Sequence, residues 1–163
     1  MKPFFLAVLS QAVLLFGQGT GQVPDLKLKL INGKQIQLSK VLKHGPVLID
    51  FWATWCAPCK KEMVYLNKFQ RTYGDSGFTV ISINQDSQKS LSKVRSYIRS
   101  KAYTFQVAID PNQQVAKILN AVVLPTTILI GSDRNIIWQH QGYLPGDEIK
   151  LEHQIRASLK LSD

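Results

Sequence analysis

The sequence predicts an α/β domain: a mixed central sheet flanked by helices and preceded by an N-terminal β-hairpin. Three observations carry that expectation. Strand-like and helix-like hydrophobic patterns alternate from Pro46 to Leu119, the order produced by parallel strands joined through crossover helices. Two later strand-like runs, 126–130 and 136–139, are linked only by GSDRN (131–135), too short for a crossover, so that pair is antiparallel. The segment before Pro46 alternates apolar with polar residues around Asn32-Gly33, a hairpin-turn signal.

The elements follow in order. Residues 26–30 (LKLKL) and 35–38 (QIQL) are the two half-buried arms of the hairpin. The run 46–52 (PVLIDFW) is apolar at nearly every position, as in a central strand buried on both faces. A helix is predicted over 58–73, with Met63, Leu66, Phe69 and Tyr73 along one side and Gly74 and Gly77 ending it. A strand at 78–83 (FTVISI) precedes a second helix over 88–101, with Leu91, Val94 and Ile98 inward and Lys89, Lys93, Arg95 and Arg99 on its other side. After a short strand at 105–109, Asp110-Pro111 signals a helix start, and Val115, Ile118 and Leu119 form that helix's buried side. Strands at 126–130 and 136–139 come next. A last helix covers 147–161, with Leu151, Ile155 and Leu159 one turn apart.

Composition narrows the function. The chain has 163 residues, 45% hydrophobic and 19% charged, enough apolar material for one core. The net charge is +9, yet residues such as Lys27, Lys29, Lys34, Lys40, Lys43, Lys60 and Lys61 are dispersed. No basic run is interleaved with aromatics, so a solvated surface is expected rather than a nucleic-acid interface. Lys2, an apolar stretch at 4–16 (FFLAVLSQAVLLF) and small residues at Gly17 and Gly19 have the layout of an export signal without an A-x-A cleavage site. Residues 1–22 are therefore expected to be a signal peptide, or a membrane anchor if uncleaved, and 23–163 one domain. That makes the protein extracytoplasmic, and periplasmic in a cell with two membranes.

The only two cysteines lie in Trp52-Ala-Thr-Trp-Cys56-Ala-Pro-Cys59-Lys60, between the buried strand and the helix. An exported chain whose two thiols are three residues apart uses them for chemistry and not as a disulfide scaffold. Cys56 precedes the first helical turn, where unpaired N–H groups and the positive end of the helix dipole favour a thiolate. Cys59 is one turn on, within reach of the Cys56 sulfur, and Pro58 suits a first turn because it has no N–H to leave unpaired. Cys56 is thus the expected nucleophile on a substrate disulfide and Cys59 the resolving thiol. An inert thiol pair and half of a zinc site are the competing readings, but His44, His140 and His153 show no ligand spacing.

The segment FWATWCAPCK (51–60) resembles the active site of the thioredoxin superfamily, and residues 24–161 resemble its exported TlpA/ResA-like branch. The leader, the Asn32-Gly33 hairpin and the extra helix and strand at 88–109, a central insertion absent from plain thioredoxins, suggest that branch. Leu124-Pro125-Thr126-Thr127 resembles the family's cis-proline loop. The resemblance implies a thioredoxin fold, Pro125 facing the two cysteines, and a Leu124 backbone able to pair with an extended substrate. Trp55, Ala57 and Pro58 complete the expected substrate-contact surface, while Trp52 is expected in the core. It also implies exported clients with disulfides or thiols, apocytochromes c and copper-site proteins among them, and a membrane thiol-reductant donor. The loop reads Pro125-Thr126-Thr127, not the proline–glutamate–threonine of the cytochrome-specific subgroup. No cofactor is expected beyond a redox-active Cys56–Cys59 disulfide.

Asp50 interrupts the apolar run 46–52 six residues before Cys56. It is either a carboxylate satisfied by a neighbour or a proton acceptor beneath Cys59 with a raised pKa. Its position matches the buried aspartate of thioredoxins, although many TlpA/ResA-like members have a neutral residue there and the companion lysine of thioredoxins is replaced by Ser82. Two further functions share the same thiols: a Cu(I) carrier and a general disulfide oxidant.

Overall fold

A computed structural model describes residues 22–161. The predicted leader lies outside the described residues except for Gln22. The elements are β1 (Lys27–Lys29), β2 (Gln35–Gln37), α1 (Leu38–Val41), β3 (Val47–Trp52), α2 (Ala57–Tyr73), β4 (Thr79–Asn84), α3 (Leu91–Lys101), β5 (Gln106–Ile109), α4 (Gln114–Ile118), β6 (Thr126–Ile130), β7 (Ile136–Gln141) and α5 (Asp147–Ser158). The main sheet has the order β5-β4-β3-β6-β7. β3 is central, parallel to β4 and antiparallel to β6, and all six of its residues are buried. β6 and β7 are antiparallel, as the short GSDRN link requires.

Each face of the sheet has its own core. Alternation along β3 sends Val47, Ile49 and Phe51 to one face, with the hairpin, α1 and α4. Leu48 and Trp52 go to the other, with Met63, Leu66 and Phe69 of α2, Val94 of α3, and Leu151 and Ile155 of α5. The hairpin turns at Gly33, which holds φ at 90°, and the Asn32 carboxamide accepts from the Lys34 amide. Leu30 then bridges Ala108, and the Ile31 amide donates to Val107, so the hairpin covers the outer side of β5. Upstream, Gln22 bridges Asn135 and the Val23 amide donates to Arg134, at the turn that opens β7.

Several boundaries differ from the sequence expectation. Leu38 ends the hairpin's alternation but opens α1, because its amide bonds back to Leu26 and its side chain is buried between the hairpin and the sheet. The helix expected after Asp110-Pro111 begins later, at Gln114. Residues 110–113 close a turn with Gln113 in the left-handed region, and the Asp110 carboxylate accepts from the Gln114 and Ala116 amides. With so short a helix, Ala116 and Leu119 supply the buried side, and Ile118, expected inward, is 55% exposed. Ile98 is only half-buried. β7 runs two residues further than expected, to Gln141, and α5 ends earlier, at Ser158.

Candidate active site

β3 delivers the chain to the redox loop, and a buried aspartate fixes that loop in place. The Thr54 amide and hydroxyl both donate to the Asp86 carboxylate, at 2.7 Å each. The Asn84 side-chain amide donates to the same carboxylate at 2.7 Å. The Cys56 amide closes a turn onto the Ala53 carbonyl, and Cys56 becomes the N-cap of α2 with extended backbone angles. Its Sγ accepts from the Cys59 amide at 3.3 Å. A helix N-terminus leaves its first amides unpaired and carries a partial positive charge. After reduction, that is the setting in which a thiolate at Cys56 is favoured.

Cys56 and Cys59 are disulfide-bonded, with their Cα atoms 5.4 Å apart. Their exposure differs slightly. Cys56 retains 4% exposure and Cys59 none. Trp55 stands 71% exposed beside Cys56, and Ala57 and Pro58 are exposed as well. The Leu124–Pro125 bond is cis, and Leu124 packs against the core cluster that contains both cysteines. Pro125 is buried and precedes Thr126, which pairs with Phe51 of β3. Val122 and Val123, just upstream, are exposed. Trp52 is fully buried against Tyr97, their ring centroids 5.5 Å apart.

Asp50 is 1% exposed and pairs in register with Ser82 on one side and Thr127 on the other. It shares parity with Leu48 and Trp52, so its side chain enters the core on the cysteine face. The Ser82 hydroxyl donates to it at 2.8 Å, which answers the question of a neighbour. Even so, loss of hydration outweighs that bond and holds the Asp50 pKa well above the usual carboxylate range.

The sequence reading missed a second buried carboxylate. Glu62, on α2, is 3% exposed and accepts from the Thr127 hydroxyl at 2.8 Å through Oε1, while Oε2 has no hydrogen-bond partner. Burial, then the nearby Asp50 charge, raises its pKa, against the Thr127 bond. The signal was present: Cys59, Glu62, Leu66, Phe69 and Tyr73 are spaced three or four apart, on one buried side of α2. In Lys60-Lys61-Glu62, however, a glutamate reads as part of a solvated charge cluster.

Comparison with known proteins agrees with this geometry. The Redoxin family model matches residues 19–155. Thiol-disulfide oxidoreductase ResA of Bacillus thuringiensis subsp. konkukian is 32% identical over 121 residues, covering 74% of this chain and 68% of the relative. Thioredoxin-like protein YneN of Bacillus subtilis is 33% identical, covering 79% of this chain and 75% of its own. A crystal structure from Chlorobium tepidum, assigned to the thiol:disulfide interchange protein DsbE, superposes with a TM-score of 0.78 at 32% identity, over 85% of this chain and 95% of that one. The chain belongs to the Redoxin family and is a ResA-like thiol–disulfide oxidoreductase of the thioredoxin superfamily.

Proposed function

We propose that this protein reduces disulfides of exported client proteins through Cys56 and Cys59, with Asp50 and Glu62 handling the proton of the resolving thiol. The observation that carries the reading is the asymmetric pair: a Cys56 sulfur at the N-terminus of α2 that keeps a sliver of exposure beside the exposed Trp55 and Ala57, and a sealed Cys59 on the face that holds two buried carboxylates. In the reduced protein, the Cys56 thiolate attacks a client disulfide. One client thiolate leaves and takes a proton from water, and a mixed disulfide forms. Cys59 gives its proton to the carboxylate pair and attacks the Cys56 sulfur. The second client thiolate leaves, and the protein ends with the Cys56–Cys59 disulfide, two electrons having passed to the client. Trp55, Ala57, Pro58, Leu124 and Pro125 form the contact surface for the client. The site opens on an exposed rim, which suits a macromolecular substrate; a cavity of about 500 Å³ lined by Lys27, Lys40 and His44 lies away from these residues. The export-signal pattern supports an extracytoplasmic setting, where a membrane thiol donor would restore the dithiol. No described helix is long and apolar enough to cross a membrane.

Two measurements test the reading. Cys59→Ser should accumulate covalent adducts with disulfide substrates, and Cys56→Ser should form none. The Cys56–Cys59 potential against glutathione should lie near ~−270 mV, whereas a value near ~−120 mV would make the protein an oxidant. A Cu(I) titration beside that assay tests the copper-carrier alternative; stoichiometric binding with no disulfide reduction would replace the proposal.

A further inference from the structure

α3 carries Lys93, Arg95, Arg99 and Lys101, with Lys89 just before it, and all five are exposed. The sequence holds no acidic residue between Asp86 and Asp110. Both of those aspartates are buried and occupied, Asp86 with Thr54 and Asn84, Asp110 with the start of α4. Among the described residues no carboxylate pairs with any of the five cations.

This face adjoins the redox site. The Gln85 amide donates to the Trp52 carbonyl, so the chain leaves β4 for α3 at the end of the sheet where β3 delivers the redox loop. Lys60, next to Cys59, places its ammonium 5.2 Å from the centre of the Tyr97 ring, and Lys101 places its own at 5.9 Å. Farther out, Arg95 and Arg99, one turn apart, line a shallow groove of about 300 Å³ with Ile31, Asn32 and Ile98. Two guanidinium groups without acidic partners beside an apolar floor suit a carboxylate-bearing segment, because the planar fork of arginine binds carboxylates through paired hydrogen bonds.

We propose that the α3 face is a docking surface for acidic protein partners, the Arg95–Arg99 groove receiving an acidic segment while the partner's sulfurs engage Cys56. The inference rests on the oxidoreductase reading and adds the chemistry of the partner. A protein fits better than a lipid surface. An interfacial helix turns its apolar side into the bilayer, but Leu91 and Val94 of α3 are buried in the core, and its outward residues are serines and cations.

The test uses two synthetic peptides with the same disulfide, flanked by glutamates in one and lysines in the other, with hydroxyethyl disulfide as a small neutral substrate. Second-order rates with the reduced protein are measured at low and high salt. At low salt the glutamate peptide should react roughly tenfold faster than the lysine peptide, as charge-steered encounters do, and the gap should close as salt screens it. A variant combining Lys93→Glu, Arg95→Glu and Arg99→Glu should invert the preference and leave the rate with hydroxyethyl disulfide unchanged. Equal peptide rates for the wild type at low salt would overturn the docking surface, and need no variant. So would equal peptide rates together with wild-type sedimentation on phosphatidylglycerol vesicles that the charge reversal abolishes, since the face would then serve a membrane. Failure with all three substrates would sink the oxidoreductase reading, and this inference with it.

Discussion

Asp50 and Glu62 enter the same core from β3 and α2, and each retains one hydroxyl donor, from Ser82 and Thr127. Their pKa values are raised in the folded state, for Asp50 by burial and for Glu62 by burial and then the Asp50 charge. An unfolded chain ionises both in the ordinary range near ~4. Between that range and the raised folded values, the native state holds protons that the unfolded state has released. Stability is therefore greatest below the unfolded pKa and falls as pH rises through the folded values. Asp50→Asn and Glu62→Gln cannot ionise and escape that loss. In the reduced protein each should gain stability over wild type as pH rises, by about 1.4 kcal/mol per pKa unit of elevation, while resolution of the mixed disulfide slows. Urea melts on either side of neutrality, with single-turnover release of a trapped client, check both effects. A stability difference that stays flat with pH would show the carboxylates to be ionised throughout. Asp50 was legible in the sequence because it breaks an apolar run. Glu62 was not, because its identity is polar and its burial is decided by the sheet that α2 covers.

At the scale of elements, the redox loop is anchored to the end of β4 by a buried carboxylate. Asp86 is 5% exposed and accepts the Thr54 amide, the Thr54 hydroxyl and the Asn84 amide. Asp86→Ala would leave three buried donors unpaired, two of them on Thr54, two residues upstream of Cys56, and one on Asn84 of β4. A stability loss on the order of 2–4 kcal/mol is expected, along with a change in the pH profile for alkylation of Cys56 in the reduced protein. Asp86→Asn, which keeps one acceptor oxygen, should restore part of each; an unaltered alkylation profile in Asp86→Ala would mean that the loop holds its shape without the clamp. The apolar run of β3, the helical period of α2 and α3 and the short link between β6 and β7 made these elements readable from sequence alone. α1 escaped because four residues (Leu38–Val41) are too few to show a helical period. The start of α4 was misplaced because Asp110 caps the helix from across a turn. The Asp86 clamp was hidden for a different reason: its partners are thirty-two residues apart for Thr54 and two for Asn84, and no local pattern records a bond across the sheet.

Over the whole molecule, charge is unevenly spent. The formal net charge is +9, and Asp50, Glu62, Asp86 and Asp110 are buried, so the surface is more basic than the composition suggests. Self-repulsion on such a surface opposes the compact state, and added sodium chloride screens it. The urea midpoint at neutral pH should therefore rise with salt; a falling midpoint would reveal favourable surface charge pairing that outweighs the repulsion. The N-terminal segment adds another consequence. It is fastened at Gln22–Val23 to the turn before β7 and at Leu30–Ile31 to the outer side of β5. Between them it crosses one face of the sheet, contributing Val23, Leu26 and Leu28 to that core. Clipping past Gln22 would release the first fastening, and clipping past Ile31 would bare β5, whose open backbone groups can then template pairing with another chain. Tolerance to N-terminal trimming thus ends at Gln22, and where a protease cuts decides whether the chain stays monodisperse before it decides anything about catalysis.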